Sequence, residues 1–143
     1  MKRTSFARDE CPVARSVDAV GDWWSLLIVR DAFAGKRRFG EFQKSLGVAK
    51  NILTDRLRKL VGAGVLETVP AGDGSAFNEY ALTAKGRGLI LLIAALGQWG
   101  AAVCESDWEL VDRKGRRVRL ELRTEDGRRV EPGDVALAPA AGA

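Results

Sequence analysis

The sequence predicts a mainly α-helical fold with a small β-wing, an α+β class, on three observations. Apolar residues recur at helical spacing over most of the chain. Two short segments rich in strand-forming residues flank a turn-rich loop at 70–76. Positive charge is concentrated between Lys36 and Lys59, where eight cations and two anions give a local charge of +6, against +4 for the whole chain. This concentration indicates a surface that faces a polyanion.

The first two predicted helices lie on either side of Gly21. The first spans 12–20, because Pro12 suits an opening helical turn and three valines follow on one face. Asp22 can cap the second helix, which ends before Gly35 and is apolar almost all round. A helix of that composition is expected at the centre of the core.

Two further helices are separated by only a short connection at 47–49. The third is predicted over 39–46 and the fourth over 50–63. At about 100° per residue, one face of the fourth helix carries Leu53, Leu57 and Leu60, and the opposite face carries Lys50, Asn51, Thr54 and Arg58. A polar face opposite a leucine stripe is usually only solvated. After so short a connection, however, the pair is a helix-turn-helix, which favours reading of DNA bases.

A predicted β-hairpin follows the helix-turn-helix, with strands at 65–69 and 77–82. A hairpin in that position is the wing of a winged helix-turn-helix. Thr83 can cap a long final helix that runs through about Glu105 and is apolar on more than one face. Such a helix needs a second partner, and we expect a second copy of the chain, hence a homodimer.

The composition changes after Trp108. Short strands are predicted at 109–112, 117–124 and 128–131, with turns at 113–115 and 125–127. We therefore expect two domains. Residues 1–107 are predicted to form the winged helix-turn-helix DNA-binding and dimerisation domain, and residues 108–143 a short C-terminal β-appendage. The last residues, 136–143, are predicted to be disordered.

Composition also narrows the function classes. The chain has no histidine, which removes Ser-His-Asp and Cys-His catalytic sites and His-ligated zinc. Its two cysteines, Cys11 and Cys104, do not have metal-ligand spacing. We expect no enzyme, no cofactor and no metal. The longest apolar run, Leu89 to Leu96, is shorter than the roughly 18 to 20 residues that span a bilayer. No signal-like segment opens the chain, so a cytoplasmic protein without a membrane partner is expected.

Several motifs in fixed order resemble the HxlR-type bacterial transcription regulators, which are relatives of the MarR-like winged helices. They are CPV at 11–13, GDWWSLLIVRD at 21–31, RFGEF at 38–42, LTDRLRKL at 53–60, GVLE at 64–67 and EYALTAKG at 79–86. The resemblance covers about Cys11 to Cys104. It implies a dimeric regulator that binds double-stranded DNA at a pseudo-palindromic operator, and we expect a repressor. It also implies a response to a reactive small-molecule effector.

The resemblance assigns roles to particular residues. The helix that begins at Lys50 would enter the major groove. The predicted base or phosphate contacts are Lys50, Asn51, Thr54 and Arg58, with Arg37 and Arg38 holding the DNA backbone. Arg56 either touches DNA or pairs with an acid. The chain departs from the family pattern at Ala49, where a capping Ser is common, and in the wing, which has no Lys or Arg between Val69 and Ala81.

Two other sites follow from the resemblance. Cys11 precedes a helix start, where the helix dipole favours a thiolate, and a cysteine at this position senses oxidants or electrophiles in some relatives. A packed, inert thiol is the alternative. Trp23, Trp24 and Trp99 either line an apolar ligand pocket or are ordinary core residues.

One function of a different class remains open. A winged helix can dock a partner protein without binding DNA. Docking of that kind does not require the local charge of +6, so the DNA-binding hypothesis is preferred.

Overall fold

The computed structural model describes residues 5–141. These residues form two compact units, one ending at Ile93 and the other beginning at Ala94. The predicted α-rich fold with small antiparallel sheets is confirmed. Of the tail predicted to be disordered, residues 142 and 143 lie outside the described part. The rest of that tail, 136–141, is exposed, and its disorder stays a prediction.

Five helices and one hairpin lie in the first unit, and a sixth helix leads into the second. They are α1 (Pro12–Val20), α2 (Trp23–Phe33), α3 (Phe39–Leu46), α4 (Lys50–Gly62), β1 (Leu66–Pro70), β2 (Asn78–Leu82) and α5 (Ala84–Arg87), followed by α6 (Ile90–Val103), which crosses the unit boundary. The predicted bounds of α1 and α3 are confirmed, and those of α4, β1 and β2 differ by one residue at one or both ends. Gly47 ends α3 in the left-handed conformation, with φ of 62°.

The wing is an antiparallel pair that runs from Leu66 opposite Leu82 to Pro70 opposite Asn78. Its second strand is also attached to the segment before α3, because the Tyr80 N–H donates to the Arg37 carbonyl at 2.7 Å. The Tyr80 ring meets the edge of Phe42, with ring centroids 6.5 Å apart. The wing is therefore fixed to α3 through both its backbone and its aromatic side chain.

The core lies between α2, α3, α4 and β1. Its most deeply buried apolar side chains are Ile28, Val29, Phe42, Leu53, Leu57, Leu60 and Leu66, each no more than 1% exposed. The position of α2 at the centre, predicted from its all-round apolarity, is consistent with the burial of Ile28 and Val29. Three of the seven residues belong to α4, so the leucine side of that helix faces inward.

The predicted continuous final helix is wrong, because the chain turns at residues 88–89 between α5 and α6. The predicted cap is present: the Thr83 hydroxyl accepts a hydrogen bond from the Gly86 N–H at 3.0 Å. Gly86 is buried against β1, where a Cβ would lie 2.1 Å from the Val65 carbonyl oxygen. Two glycines, Gly86 within α5 and Gly88 directly after it, lower the helix propensity of this short segment.

Helix α6 carries large apolar side chains that remain exposed. They are Ile90, Leu91, Leu92, Leu96, Trp99 and Val103. By length and composition alone, the 20 residues Ala84–Val103 could cross a membrane. The turn at 88–89 divides that segment, and α6 itself has 14 residues.

The second unit contains short β-structure after α6. It has an isolated bridge between Val111 and Arg117, the strands β3 (Leu122–Arg123) and β4 (Arg129–Val130), and a short 3₁₀ turn at Pro132–Asp134. The predicted turns are present, with Gly115 and Gly127 at positive φ. The strands are shorter than predicted. The Gln98 side chain exchanges two hydrogen bonds with the Leu120 backbone, at 2.7 and 3.2 Å, and so ties this β-structure to α6. The domain boundary at 107/108 stays a prediction.

We predict that Gly86→Ala destabilises the fold by about 1–3 kcal/mol, because the added methyl overpacks against the Val65 carbonyl. Urea unfolding followed by circular dichroism measures the change. Gly40→Ala is the matched control, since nothing lies within 4 Å of a Cβ built on this helical glycine. The free energy of unfolding of that control should rise by about 0.5–1 kcal/mol, because alanine has a higher helix propensity than glycine. Equal stability changes in the two variants would contradict the packing explanation.

Candidate nucleic-acid interface

The two faces of α4 differ in the way the sequence predicts. Leu53, Leu57 and Leu60 are buried. Lys50, Asn51, Thr54 and Arg58 are all exposed. The structure thus brings the four predicted DNA-contacting residues of α4 together on one outward surface, here called the reading face.

The reading face keeps its positive charge available. Neither Lys50 nor Arg58 has an ion-pair partner within residues 5–141. The Thr54 hydroxyl donates to the Lys50 carbonyl at 2.8 Å, which leaves its oxygen lone pairs and its methyl group for other contacts. The reading face therefore offers two unpaired cations, one amide and one hydroxyl acceptor.

The N-terminus of α4 has no side-chain cap. Ala49 occupies the capping position and makes no such hydrogen bond. The first N–H groups of the helix therefore have no side-chain partner, and the positive end of the helix dipole lies at Lys50. This is the arrangement that suits a phosphate group.

Arg37 and Arg38, the other two predicted contacts, lie just before α3 and face acidic residues of the wing. Arg37 Nε is 2.5 Å from Glu79 Oε2. Arg38 pairs with Asp73 through Nη2 and lies 3.6 Å from Glu79 Oε1 through Nε. Both arginines are thus already engaged by carboxylates. Sequence reasoning missed this contact, although the acidic loop beside a cationic cluster was a visible signal.

Asp73 is held as an anion. A hydrogen bond from the Ser75 backbone N–H and the nearby Arg38 guanidinium hold the pKa of the Asp73 carboxyl well below its usual range. The same pairing raises the pKa of Arg38. Both groups are therefore charged at any physiological pH.

Arg56 points away from the reading face and binds Asp22. Its Nε is 3.1 Å from Asp22 Oδ1, and its Nη1 is 2.6 Å from Asp55 Oδ2. Asp22 also accepts hydrogen bonds from the Ser25 N–H and hydroxyl, at 2.9 and 2.6 Å. Burial raises the pKa of Asp22, but the bonds from Ser25 and Arg56 outweigh it and hold the value below normal. Arg56 therefore joins α4 to the start of α2.

The remaining predicted site residues are divided between the two units. Cys11 is half-buried at the start of α1, and its backbone N–H donates to Asp9 Oδ1 at 2.8 Å. In the first unit, Trp24 packs against the core, whereas Trp23 is 83% exposed. In the second unit, Trp99 is 68% exposed. The ligand pocket stays a prediction. Within residues 5–141 no group of three or more Cys, Asp or Glu side chains could hold a metal ion.

Comparisons with known proteins identify the family of the chain. A family model for the HxlR-like helix-turn-helix matches residues 19–108. A Mycobacterium tuberculosis relative, named an uncharacterised HTH-type transcriptional regulator, is 44% identical over 88 residues, which cover 62% of this chain and 56% of the relative. The chain thus spans little more than half the length of that relative.

Two solved structures extend the comparison. The crystal structure of PA1607, a proposed transcription factor, matches with a TM-score of 0.87 and 51% identity, over 96% of this chain and 100% of PA1607. The redox regulator HypR in its oxidised form matches with a TM-score of 0.60 and 28% identity, over 67% of this chain and 100% of HypR. The resemblance drawn from the sequence motifs is confirmed, and the chain belongs to the HxlR-like helix-turn-helix family.

Proposed function

We propose that this protein is a sequence-specific transcriptional regulator that inserts α4 into the major groove of double-stranded DNA. The observation that carries the proposal is the reading face, where Lys50 and Arg58 are exposed opposite a buried leucine stripe and form no ion pair within the part of the chain that the structure describes. A helix of about 10–12 Å diameter fits the major groove, which is about 12 Å wide. The family and the names of the relatives support the same function.

The reading face divides into two kinds of contact. Arg58 and Asn51 are suited to base edges, because Arg pairs with guanine and Asn with adenine through two hydrogen bonds. Lys50 and the uncapped N-terminus of α4 are suited to phosphates. Thr54 offers a methyl group to thymine and an oxygen acceptor. In this division Arg37 and Arg38 stay close to the DNA backbone, but the wing acids compete for them.

The regulator acts, in this proposal, as a homodimer on a pseudo-palindromic operator. The apolar surface of α6 supports it, since a second copy of the same helix covers such a surface by a two-fold contact. Two copies of α4 would then read two half-sites about one helical turn apart or a multiple of that spacing. A dimer bound across a promoter blocks transcription, which is the basis for proposing a repressor.

We predict that Arg58→Ala weakens operator binding by about 1–3 kcal/mol, or roughly 5- to 150-fold in Kd, and relaxes the base preference at one position. Lys50→Ala should weaken binding to all sequences more evenly. It should also lower the slope of log affinity against log salt concentration by about 1. Binding sites selected from random duplexes, followed by gel-shift titration, measure both effects.

Arg113→Ala removes the same charge from the turn in the second unit and serves as the control, with an unchanged Kd. Circular dichroism should show the native helix content in every variant. If both α4 variants bind like the wild type, the assignment of α4 is wrong. Failure to select any duplex at all would favour the protein-docking alternative.

We predict that Leu91→Glu converts the dimer to a monomer and weakens operator binding, because it buries a carboxylate in the α6 contact. Sedimentation velocity at micromolar concentration measures the oligomeric state. Phe77→Glu changes an exposed apolar residue of the wing in the same way and should leave the dimer intact. A wild-type protein that sediments as a monomer would overturn the dimer proposal.

A response through Cys11 is a second proposal, favoured by its position at the uncapped start of α1 and by the likeness to HypR, whose structure is that of a redox regulator. The sulfur of Cys11 would add to a ring carbon of a quinone, forming a carbon–sulfur bond as the C=C π bond breaks; the electron pair passes to the quinone oxygen, which takes up a proton, and the adduct is a hydroquinone. Hypochlorite would instead oxidise the thiol by two electrons to a sulfenic acid and be reduced to chloride. We predict that a quinone or hypochlorite releases DNA from the wild type and not from Cys11→Ser. Cys104→Ser is the control and should respond as the wild type does. Equal release from Cys11→Ser would show that this thiol is not the sensor.

A further inference from the structure

The wing places two carboxylates against the two arginines that precede α3, and the two pairs differ in exposure. The Glu79 side chain is 14% exposed and lies within reach of both arginines. The Arg38–Asp73 pair lies further out, with side chains 38% and 54% exposed. Solvent reaches the outer pair, so it is readily exchanged for another partner, whereas the inner pair belongs to the attachment of the wing.

Asp73 keeps its place without Arg38. Its Oδ1 accepts a hydrogen bond from the Ser75 N–H at 2.9 Å, which is a local turn contact within the wing loop. Its other oxygen, Oδ2, receives Arg38 Nη2. The loop thus presents a fixed anionic oxygen to the guanidinium. If Arg38 leaves, Asp73 remains where it is and remains charged.

A carboxylate and a DNA phosphate are equivalent partners for this arginine. Both offer anionic oxygens that accept N–H groups of the guanidinium in a similar geometry. Arg38 lies at the start of α3, inside the cationic segment that contains α4, so a backbone phosphate is the natural competitor of Asp73. The two anions cannot use the same N–H group at once.

We propose that Asp73 takes the place of a DNA phosphate. Its carboxylate pairs with Arg38 and thereby lowers the affinity of the protein for DNA. This inference rests on the proposed function, because the competition requires a duplex at α4. In the wild type, Asp73 competes with a backbone phosphate for Arg38, so Arg38 contacts the phosphate fully only when the Asp73 carboxylate is neutralised. The carboxylate also repels the DNA backbone. The wing therefore weakens DNA binding electrostatically instead of adding contacts to it.

The two acids should behave differently when neutralised. Asp73→Asn keeps an oxygen acceptor for the Ser75 N–H, so the turn is retained while the charge is removed. Arg38 Nη2 is then released for a phosphate, while Arg38 Nε stays 3.6 Å from Glu79 Oε1. Glu79→Gln instead loosens the attachment of β2 to Arg37 and should not increase DNA affinity to the same extent.

The test is fluorescence anisotropy with a labelled random-sequence duplex, titrated at several salt concentrations. Asp73→Asn should bind several-fold more tightly than the wild type at low salt. Its slope of log affinity against log salt should be steeper by about 0.9, the value for one added phosphate contact. Glu67→Gln is the matched control, since it removes the same charge from an exposed position of β1 in the same hairpin.

A second variant separates local competition from a general charge effect. In a protein that also carries Arg38→Gln, Asp73→Asn should increase the affinity for the duplex no more than Glu67→Gln does. Equal slopes for Asp73→Asn and Glu67→Gln in the otherwise wild-type protein would overturn the inference. The inference would also be overturned if Asp73→Asn increased the affinity for the duplex by the same factor in the Arg38→Gln protein.

The outcomes distinguish this inference from the proposed function. If duplex binding depends on Lys50 and Arg58 but is unchanged by Asp73→Asn, only the role of Asp73 is wrong. If neither the wild type nor Asp73→Asn binds any duplex, the proposed function fails, and the inference fails with it. Circular dichroism of each variant confirms that the fold is intact in either case.

Discussion

Burial of the leucine side of α4 is the constraint on which the rest of the molecule depends. Leu53, Leu57 and Leu60 are no more than 1% exposed and belong to the same core as Ile28 and Val29 of α2. Truncating one buried leucine costs about 2–5 kcal/mol, a large share of the roughly 5–15 kcal/mol that holds a domain folded. The rotation of α4 about its axis is therefore set by the core. The polar residues on the opposite side face outward before any ligand is present.

Ion pairs then decide which cations of the segment between Lys36 and Lys59 are available. Arg37 and Arg38 face wing acids, and Arg56 and Lys59 face Asp22. Lys36, Lys44, Lys50 and Arg58, in contrast, have no acidic partner among the described residues. A local charge of +6 therefore overstates the positive surface that a polyanion meets. The same pairs connect the cationic segment to its neighbours, since Asp22 links α4 to the start of α2 and Glu79 links the wing to the residues before α3.

Local patterns in the sequence predicted the elements, because helical period, caps and turn residues act within a few positions of the chain. Asp22 as a cap, Gly47 as a stop and the two faces of α4 are examples. Contacts between distant positions were not predictable in this way. Arg38 meets Asp73 from 35 positions away, and Arg56 meets Asp22 from 34. The close approach of Gly86 to the Val65 carbonyl likewise joins positions that are distant in the sequence.

The exposed apolar surface of α6 is the basis of the proposed dimer. At 1.5 Å per residue its 14 residues extend about 21 Å, against a hydrocarbon thickness of about 30 Å. The preceding turn and the charges of Lys85 and Arg87 interrupt the longer segment. A two-fold contact of α6 with its copy needs only this one surface, because such an interface is self-complementary. In the proposed dimer, the contact between copies belongs to α6 and the base preference to the reading face of α4, so association and base recognition depend on different helices.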